Sequence, residues 1–339
     1  MEVNKKMQYY AGLDIHKKNC QAIICTEKGN IVKKGRIPTD PEKIQEFFQE
    51  FKELTIAIEA CNTWEHIFET LESQGHQVAL AHPMKTRFIA ESRVKTDKVD
   101  AEILMHLLRT GFLPTSYIPK KEIRDLRNLV RQRIFLGRYT TRIKNKIYAE
   151  LLRQGIKYKK GPTLFKGIGI KWLHNLKIPS VKTYLNLYES AKKEIKKLEK
   201  EFKKQGKQYK ETQLLTTIPG IGTYSALIIL SEIGDINRFS NEEKLFSYAG
   251  VTPSVHQTGQ NTYHGHITKQ GSKHLRWILT ETVRIHLIWT ARHMVETKIS
   301  QFYQRLCKKK PRNVAATAAA RKLLQIIYHM LKNKNEFRG

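Results

Sequence analysis

The stretch RVKTDKVDAEILMHLLRTG (Arg93–Gly111) sets two acids, Asp97 and Asp100, at the start of an apolar helical period and among Arg93, Lys95 and Lys98. Side chains three apart on a helix share a face, so both carboxylates point to one place. Locally they also fit a helix start, with Asp97 as N-cap and Asp100 at N3. The choice between a cap and a site depends on whether other acids converge there. Two upstream segments supply candidates. YYAGLDI (Tyr9–Ile15) reads as a buried strand carrying Asp14 at its end, and LTIAIEAC (Leu54–Cys61) as another carrying Glu59. Around them, CQAIICTEKGNIVKKGRI (Cys20–Ile37) predicts a hairpin turning at Gly29 and Asn30. Helical periods cover Pro41–Leu54 and Trp64–Gly75, and HQVALAH (His76–His82) predicts a fifth strand. Strand, hairpin, helix, strand, helix, strand, helix is an α/β layer order.

Each acid taken alone has an ordinary explanation as a cap, a turn residue or a strand-end charge. Taken together, two strand-end acids and a D-x-x-D helix form an RNase H-like pattern. Four carboxylates suit one or two Mg²⁺ or Mn²⁺ ions. Two such ions, about 4 Å apart, stabilise the entering and leaving oxygens of a phosphoryl transfer. The neighbouring Lys17, Lys95 and Lys98 are then expected to meet phosphate.

Composition agrees with such a substrate. The 339 residues hold 61 Lys and Arg against 31 Asp and Glu, a formal charge of +30. A field of that sign favours a polyanion, above all nucleic acid. No apolar run approaches the roughly 20 residues of a membrane span. The start of the chain shows no signal or transit pattern, and its four cysteines have no zinc-ligand spacing. The expectation is a reduced, cytoplasmic protein.

At this point GLDIHKK, AIEACNTW and KTDKVDAEIL resemble the RuvC-like N-terminal domain of the DEDD transposases, the "one-ten" family of bacterial insertion sequences, which includes the Piv-type DNA invertases. The resemblance implies that Asp14, Glu59, Asp97 and Asp100 are the catalytic metal ligands. It also implies a dimer or tetramer, and a structured noncoding bridge RNA that pairs with donor and target DNA.

The remainder of the chain reads as helical. A basic helix spans roughly 120–157, a glycine-punctuated linker 158–172, and a long charged helix of coiled-coil type Thr183–Leu215. LLTTIPGIGTYSALIILSEIGDINRF (Leu214–Phe239) predicts two helices around a Pro-Gly-Ile-Gly turn. This resembles a helix-hairpin-helix, in which Gly220 and Gly222 would bring backbone N–H groups to a phosphate; a tight turn with Ala226 packed close reads equally well. In FSYAGVTPSVHQTGQNTYHGHITKQGSKHLRWILTETV (Phe246–Val283), Lys269, Lys273 and Arg276 cluster with Tyr263 and Trp277, a mixture suited to nucleic acid. Trp277 is expected in the core, and His256, His264 and His266 in a polar loop.

This segment is similar to the family's C-terminal domain, where a serine before a glycine bonds covalently to DNA. Here Thr258 precedes Gly259. Its hydroxyl has the same chemical capacity, but its β-methyl restricts χ1. Thr258 is the candidate nucleophile, with Ser254 and then Ser272 as alternatives. The expected organisation is an α/β RNase H-like domain (8–118), a helical or coiled-coil connector (119–213) and a mainly α transposase domain with the helix-hairpin-helix-like element (214–335). With acids and hydroxyl in different domains, the reading implies a site assembled between protomers. Two other readings stay open: a resolvase-type endonuclease that uses water, and a decayed transposase that only binds RNA or DNA.

Overall fold

The computed structural model describes residues 8–89, 97–158, 162–258 and 261–338. The chain divides into two compact units, Met1–Ile118 and Pro119–Gly339. In the first, β1 (Tyr9–Ile15), β2 (Asn19–Thr26), β3 (Ile31–Pro38), β4 (Leu54–Ile58), β5 (Gln77–Ala81) and the two-residue β6 (Thr115–Ser116) form one sheet in the order β3-β2-β1-β4-β5-β6. β1 is antiparallel to β2 and parallel to β4, and β5 is parallel to β4. The hairpin turns at Gly29 and Asn30 as its sequence requires.

Strand parity separates two layers. Ala11, Leu13 and Ile15 of β1 and Leu54, Ile56 and Ile58 of β4 share a core with α1 (Pro41–Phe48) and α2 (Trp64–Ser73). After β5 comes α3 (Pro83–Ile89), which buries no residue and has no counterpart in the sequence reading. The opposite face of the sheet receives α4 (Asp97–Arg109). Its Ala101 and Met105 pack with Ile23 and Cys25, and its Leu104 with Ala57 and Ala81.

The second unit is mostly helical. α5 (Lys121–Arg153) and α7 (Pro179–Gly206) pair, with α6 (Ile168–Asn175) between them in sequence. Leu126, Val130 and Ile134, early in α5, share a core with Phe202, late in α7. Ile143, Ile147 and Leu151, late in α5, pack instead with Val181, Leu185 and Tyr188, early in α7. The two helices are therefore antiparallel. The region expected to be a linker holds a 3-10 turn at Pro162–Phe165 as well as α6. The helix expected over Thr183–Leu215 is two helices, because α7 ends at Gly206 and α8 (Lys210–Thr216) restarts after it.

α9 (Thr223–Ile233) is buried at every position from Ala226 to Ile233. It lies within a core to which α10 (Glu242–Ala249), α11 (Lys273–His293) and α13 (Arg312–Asn333) contribute, together with the first turns of α5. The hairpin of β7 (Pro253–Thr258) and β8 (Asn261–Ile267) precedes α11, and α12 (Lys298–Cys307) packs on α13. Among the described residues no helix is long and apolar enough to cross a membrane.

Gly12 sets the distance between α4 and the sheet. A Cβ there would overlap the carbonyl oxygen of Ala101 and come within 2.7 Å of the Met105 nitrogen. Both obstacles are helix backbone, which cannot swing aside as a side chain can. Gly12→Ala is therefore expected to destabilise the first unit by about 3 kcal/mol, measured as a lower urea midpoint of the transition that unfolds it.

Candidate functional site

Leu13 and Ile58 are the last residues paired between β1 and β4, so Asp14, next on β1, and Glu59, just past the end of β4, follow side by side. By parity with Gly12 and Ala57, both belong to the face that α4 covers. α4 begins with Asp97, one turn before the Ala101 that rests on Gly12, and Asp100 directly precedes that alanine. The fold thus brings Asp14 within electrostatic reach of Glu59 and Asp100, while Asp97 stands beside His16. Asp14 is 2 % exposed, while Asp100 is half-buried and Asp97 exposed. The Asp14 carboxyl rises from its ordinary 3.8 to about 6. Burial is the main cause; His16 opposes it, and Glu59 and Asp100 add to it by charge, Glu59 also through a hydrogen bond.

His16 was visible in the sequence only as part of the motif around Asp14. Its Nε2 lies 3.0 Å from Asp14 Oδ2 and 3.2 Å from Asp97 Oδ1. One donor atom from each of Asp14, His16 and Asp97 falls within 4.8 Å of the other two. Yet the short distance is not a hydrogen bond to Asp14: Oδ2 is buried and accepts none. The Asp14 carboxyl also lies close to the charges of Glu59 and Asp100. These residues fit a divalent cation.

Beside them opens a cleft of about 420 Å³, lined in part by His16, Lys17, Lys18, Arg36 and Asp97. Arg36 was not foreseen. It reaches this row through the sheet register, in which Asp14 is opposite Gln21 and Gln21 opposite Arg36. Lys17 is exposed at the cleft, as a phosphate contact would require. Lys95 lies outside the described residues, and of Lys98 only the backbone, in the first turn of α4, is described.

In the second unit Thr258 ends β7 and pairs with Asn261 across the hairpin turn; its side chain is not among those described. Ser254 is half-buried near the start of the same strand. His256, His264 and His266 lie on β7 and β8 rather than in a loop. Ser272 is committed elsewhere. It caps α11 by accepting from the Leu275 N–H at 3.0 Å, and its hydroxyl donates to Glu232 Oε2 at 2.8 Å. Glu232 is 1 % exposed, at the buried end of α9. Arg131 on α5 donates to it through Nε at 2.8 Å and Nη2 at 3.0 Å. Burial alone would push its carboxyl up, but Arg131, Ser272 and Arg127 together hold it below the usual range.

The segment that follows β8 is fastened by further contacts. The Lys269 N–H donates to Gly250 O, and Arg276 Nη1 donates to Ala249 O at 2.8 Å. Arg276, expected on nucleic acid, is half-buried and also ties α11 to the end of α10, and Lys269 and Lys273 are exposed. Trp277, expected in the core, is 36 % exposed, and Tyr263 is exposed as well. Gly220 has φ +96°, and a Cβ there would stand 2.9 Å from the His286 nitrogen, so α11 crossing the turn explains that glycine. Gly222 is exposed at the N-cap of α9, with open space around it.

An acid cluster on a mixed sheet thus stands beside a cationic cleft. Residues 11–155 match the DEDD transposase model of the IS110 group, and residues 212–304 match the Transposase IS116/IS110/IS902 family. The chain is 25 % identical to the transposase for insertion sequence element IS1328 of Yersinia enterocolitica, over 94 % of its own length and 95 % of that protein. It is 25 % identical to the transposase for IS1111A of Coxiella burnetii, over 84 % and 79 %. With the pilin gene-inverting protein of Moraxella bovis it shares 28 % identity, over 84 % and 82 %. The chain belongs to the IS110/IS116 family of insertion-sequence transposases.

Two outcomes are expected. Because burial raises the Asp14 carboxyl, the folded chain keeps a proton that the unfolded chain has lost between pH 3.8 and about 6. Stability is therefore lost as pH rises through that window, by roughly 3 kcal/mol in full. Without divalent cations, Asp14→Asn should raise the melting temperature at pH 7 and flatten its dependence on pH from 4 to 6. Mg²⁺ should raise the melting temperature of the wild type but not of the variant. In the second unit, Arg131→Met leaves a buried carboxylate without its main partner and should destabilise by about 3–5 kcal/mol. Adding Glu232→Gln should recover most of that loss in chemical denaturation.

Proposed function

We propose that this chain is a metal-dependent DNA recombinase of an insertion sequence, which cleaves and exchanges strands through a covalent bond between Thr258 and DNA under the guidance of a bridge RNA. The observation that carries the metal-dependent part is the grouping of the buried Asp14 with His16 and Asp97, with Glu59 and Asp100 acting on the same carboxyl, beside a cleft lined by Lys17, Lys18 and Arg36. The sheet order β3-β2-β1-β4-β5, with only β2 reversed among the inner strands, supports an RNase H-like reading of the first unit. The antiparallel α5–α7 pair supports a connector over 119–213. The turn between α8 and α9 supports a helix-hairpin-helix-like element in a transposase domain over 214–335.

Asp14, Glu59, Asp97 and Asp100 would hold Mg²⁺ or Mn²⁺, and such an ion supplies charge stabilisation to the phosphoryl oxygens. The chain's own residues do the rest. Lys17, Lys18 and Arg36 draw the DNA backbone to the acids and set its register. The Thr258 hydroxyl attacks phosphorus, so that a Thr Oγ1–P bond forms and the P–O bond to the leaving strand breaks. The hydroxyl proton ends on that released oxygen after exchange with solvent. A hydroxyl of the second strand then attacks the same phosphorus, and Thr258 leaves with its proton restored. Lys269, Lys273, Tyr263 and Trp277 form an exposed cationic and aromatic surface suited to nucleic acid. Two or four copies of the chain would act together on the DNA ends.

A second reading is favoured by one observation: threonine stands where the family carries its serine. In that reading water replaces Thr258 and the product is a free nick. Purified protein, the element's RNA and donor DNA with Mg²⁺ separate the two on a denaturing gel with mass spectrometry. A DNA–peptide adduct at Thr258 is expected, absent in Thr258→Ala and Asp14→Ala and retained in Thr258→Ser. Nicked ends without adduct would establish hydrolysis, and binding without cleavage would mark a decayed enzyme.

A further inference from the structure

We propose that His16 is a ligand of the same divalent cation as Asp14 and Asp97, which turns this side of the cluster into a mixed nitrogen–oxygen site that favours Mn²⁺ over Mg²⁺. The proposal rests on the metal-dependent reading above and adds to it a residue outside the four acids.

Three observations carry it. The first is spacing. Two ligands at right angles on an octahedral ion with bonds of about 2.1 Å stand about 3.0 Å apart. His16 Nε2 lies 3.0 Å from Asp14 Oδ2 and 3.2 Å from Asp97 Oδ1, the separation of neighbouring ligands. The second is direction. Were His16 simply a hydrogen-bond donor to Asp14, its ring N–H would point at Oδ2. That oxygen is buried on a residue only 2 % exposed and accepts no hydrogen bond. Nitrogen and oxygen sit side by side without bonding to each other, as two ligands do around a shared ion.

The third is that the backbone of His16 is held in place. Its N–H donates to Asn19 O at 3.1 Å, and its carbonyl accepts from Thr39 Oγ1 at 2.7 Å. The Thr39 N–H in turn donates to Lys18 O at 2.9 Å. The short turn from β1 to β2 is thus tied to the end of β3, and it carries His16 to the mouth of the acid cluster before any ion arrives. Mg²⁺ takes oxygen ligands and keeps its waters, whereas imidazole suits transition ions. A nitrogen ligand therefore raises the relative affinity for Mn²⁺.

Pulsed electron paramagnetic resonance on Mn²⁺ bound to the full chain reads this directly, through ¹⁴N modulation of the electron spin echo. The wild type should show coordinated nitrogen. His16→Ala and His16→Gln should still bind Mn²⁺ through the acids but lose that modulation. In competition titrations their preference for Mn²⁺ over Mg²⁺ should fall by about tenfold or more. Melting curves of both variants without added metal check that they fold. Bound Mn²⁺ without nitrogen modulation in the wild type, or modulation that survives both substitutions, would overturn the assignment of His16 and leave the four-acid reading standing. No Mn²⁺ binding by the wild type, with Asp14→Asn indistinguishable from it, would overturn both.

Discussion

The backbone of α4 rests directly on β1 at Gly12, and the position of the α4 acids relative to Asp14 depends on that contact. Gly12 and Asp14 are two residues apart on one strand and so share a face. Ala101, which covers Gly12, directly follows Asp100. The absence of a side chain at one position therefore sets the distance between a buried carboxylate on the sheet and the first turn of a helix. Close approach of like charges opposes itself, and the fold resists that repulsion with the apolar packing of Ala101, Leu104 and Met105. A divalent cation would turn the same repulsion into attraction.

The second unit handles its buried acid in the opposite way. Glu232 lies in a core as deeply as Asp14 does, yet its oxygens are filled by Arg131 and Ser272. Its carboxyl accordingly moves down where that of Asp14 moves up. Burial is common to both, and the difference lies in the donors. One acid joins helices α5, α9 and α11, while the other keeps an oxygen that accepts no hydrogen bond and lies 3.0 Å from His16 Nε2. Ser272 and Arg276 also belong to the ties that hold the start of α11.

Much of this was legible in the chain. β1 coincides with YYAGLDI because an apolar run ending in an acid has few other places to go, and the Gly29–Asn30 turn forces its hairpin. The D-x-x-D spacing placed Asp97 and Asp100 on one helix face, as found. Less legible were features without a local signal. α3 buries nothing and so leaves no apolar period to read. Gly206 stands inside a run of helix-favouring lysines and glutamates, and the break after it follows from packing against α8 and α9. Trp277 has a core composition but a surface position, because α11 buries Leu275, Ile278 and Leu279 instead.

The sequence by itself determined which acids exist, their parity on strands and helix, and a charge of +30 that calls for a polyanion. These are local or additive properties, and no partner elsewhere in the chain changes them. Tertiary structure decided which of those groups meet. It set His16 against Asp14 and Asp97, brought Arg36 into the same row across two strand pairings, and joined Glu232 to an arginine 101 residues earlier in the chain. Such pairings depend on register and on the depth to which each element packs. Those quantities are fixed by the whole core at once, and for that reason no single stretch of the chain displays them.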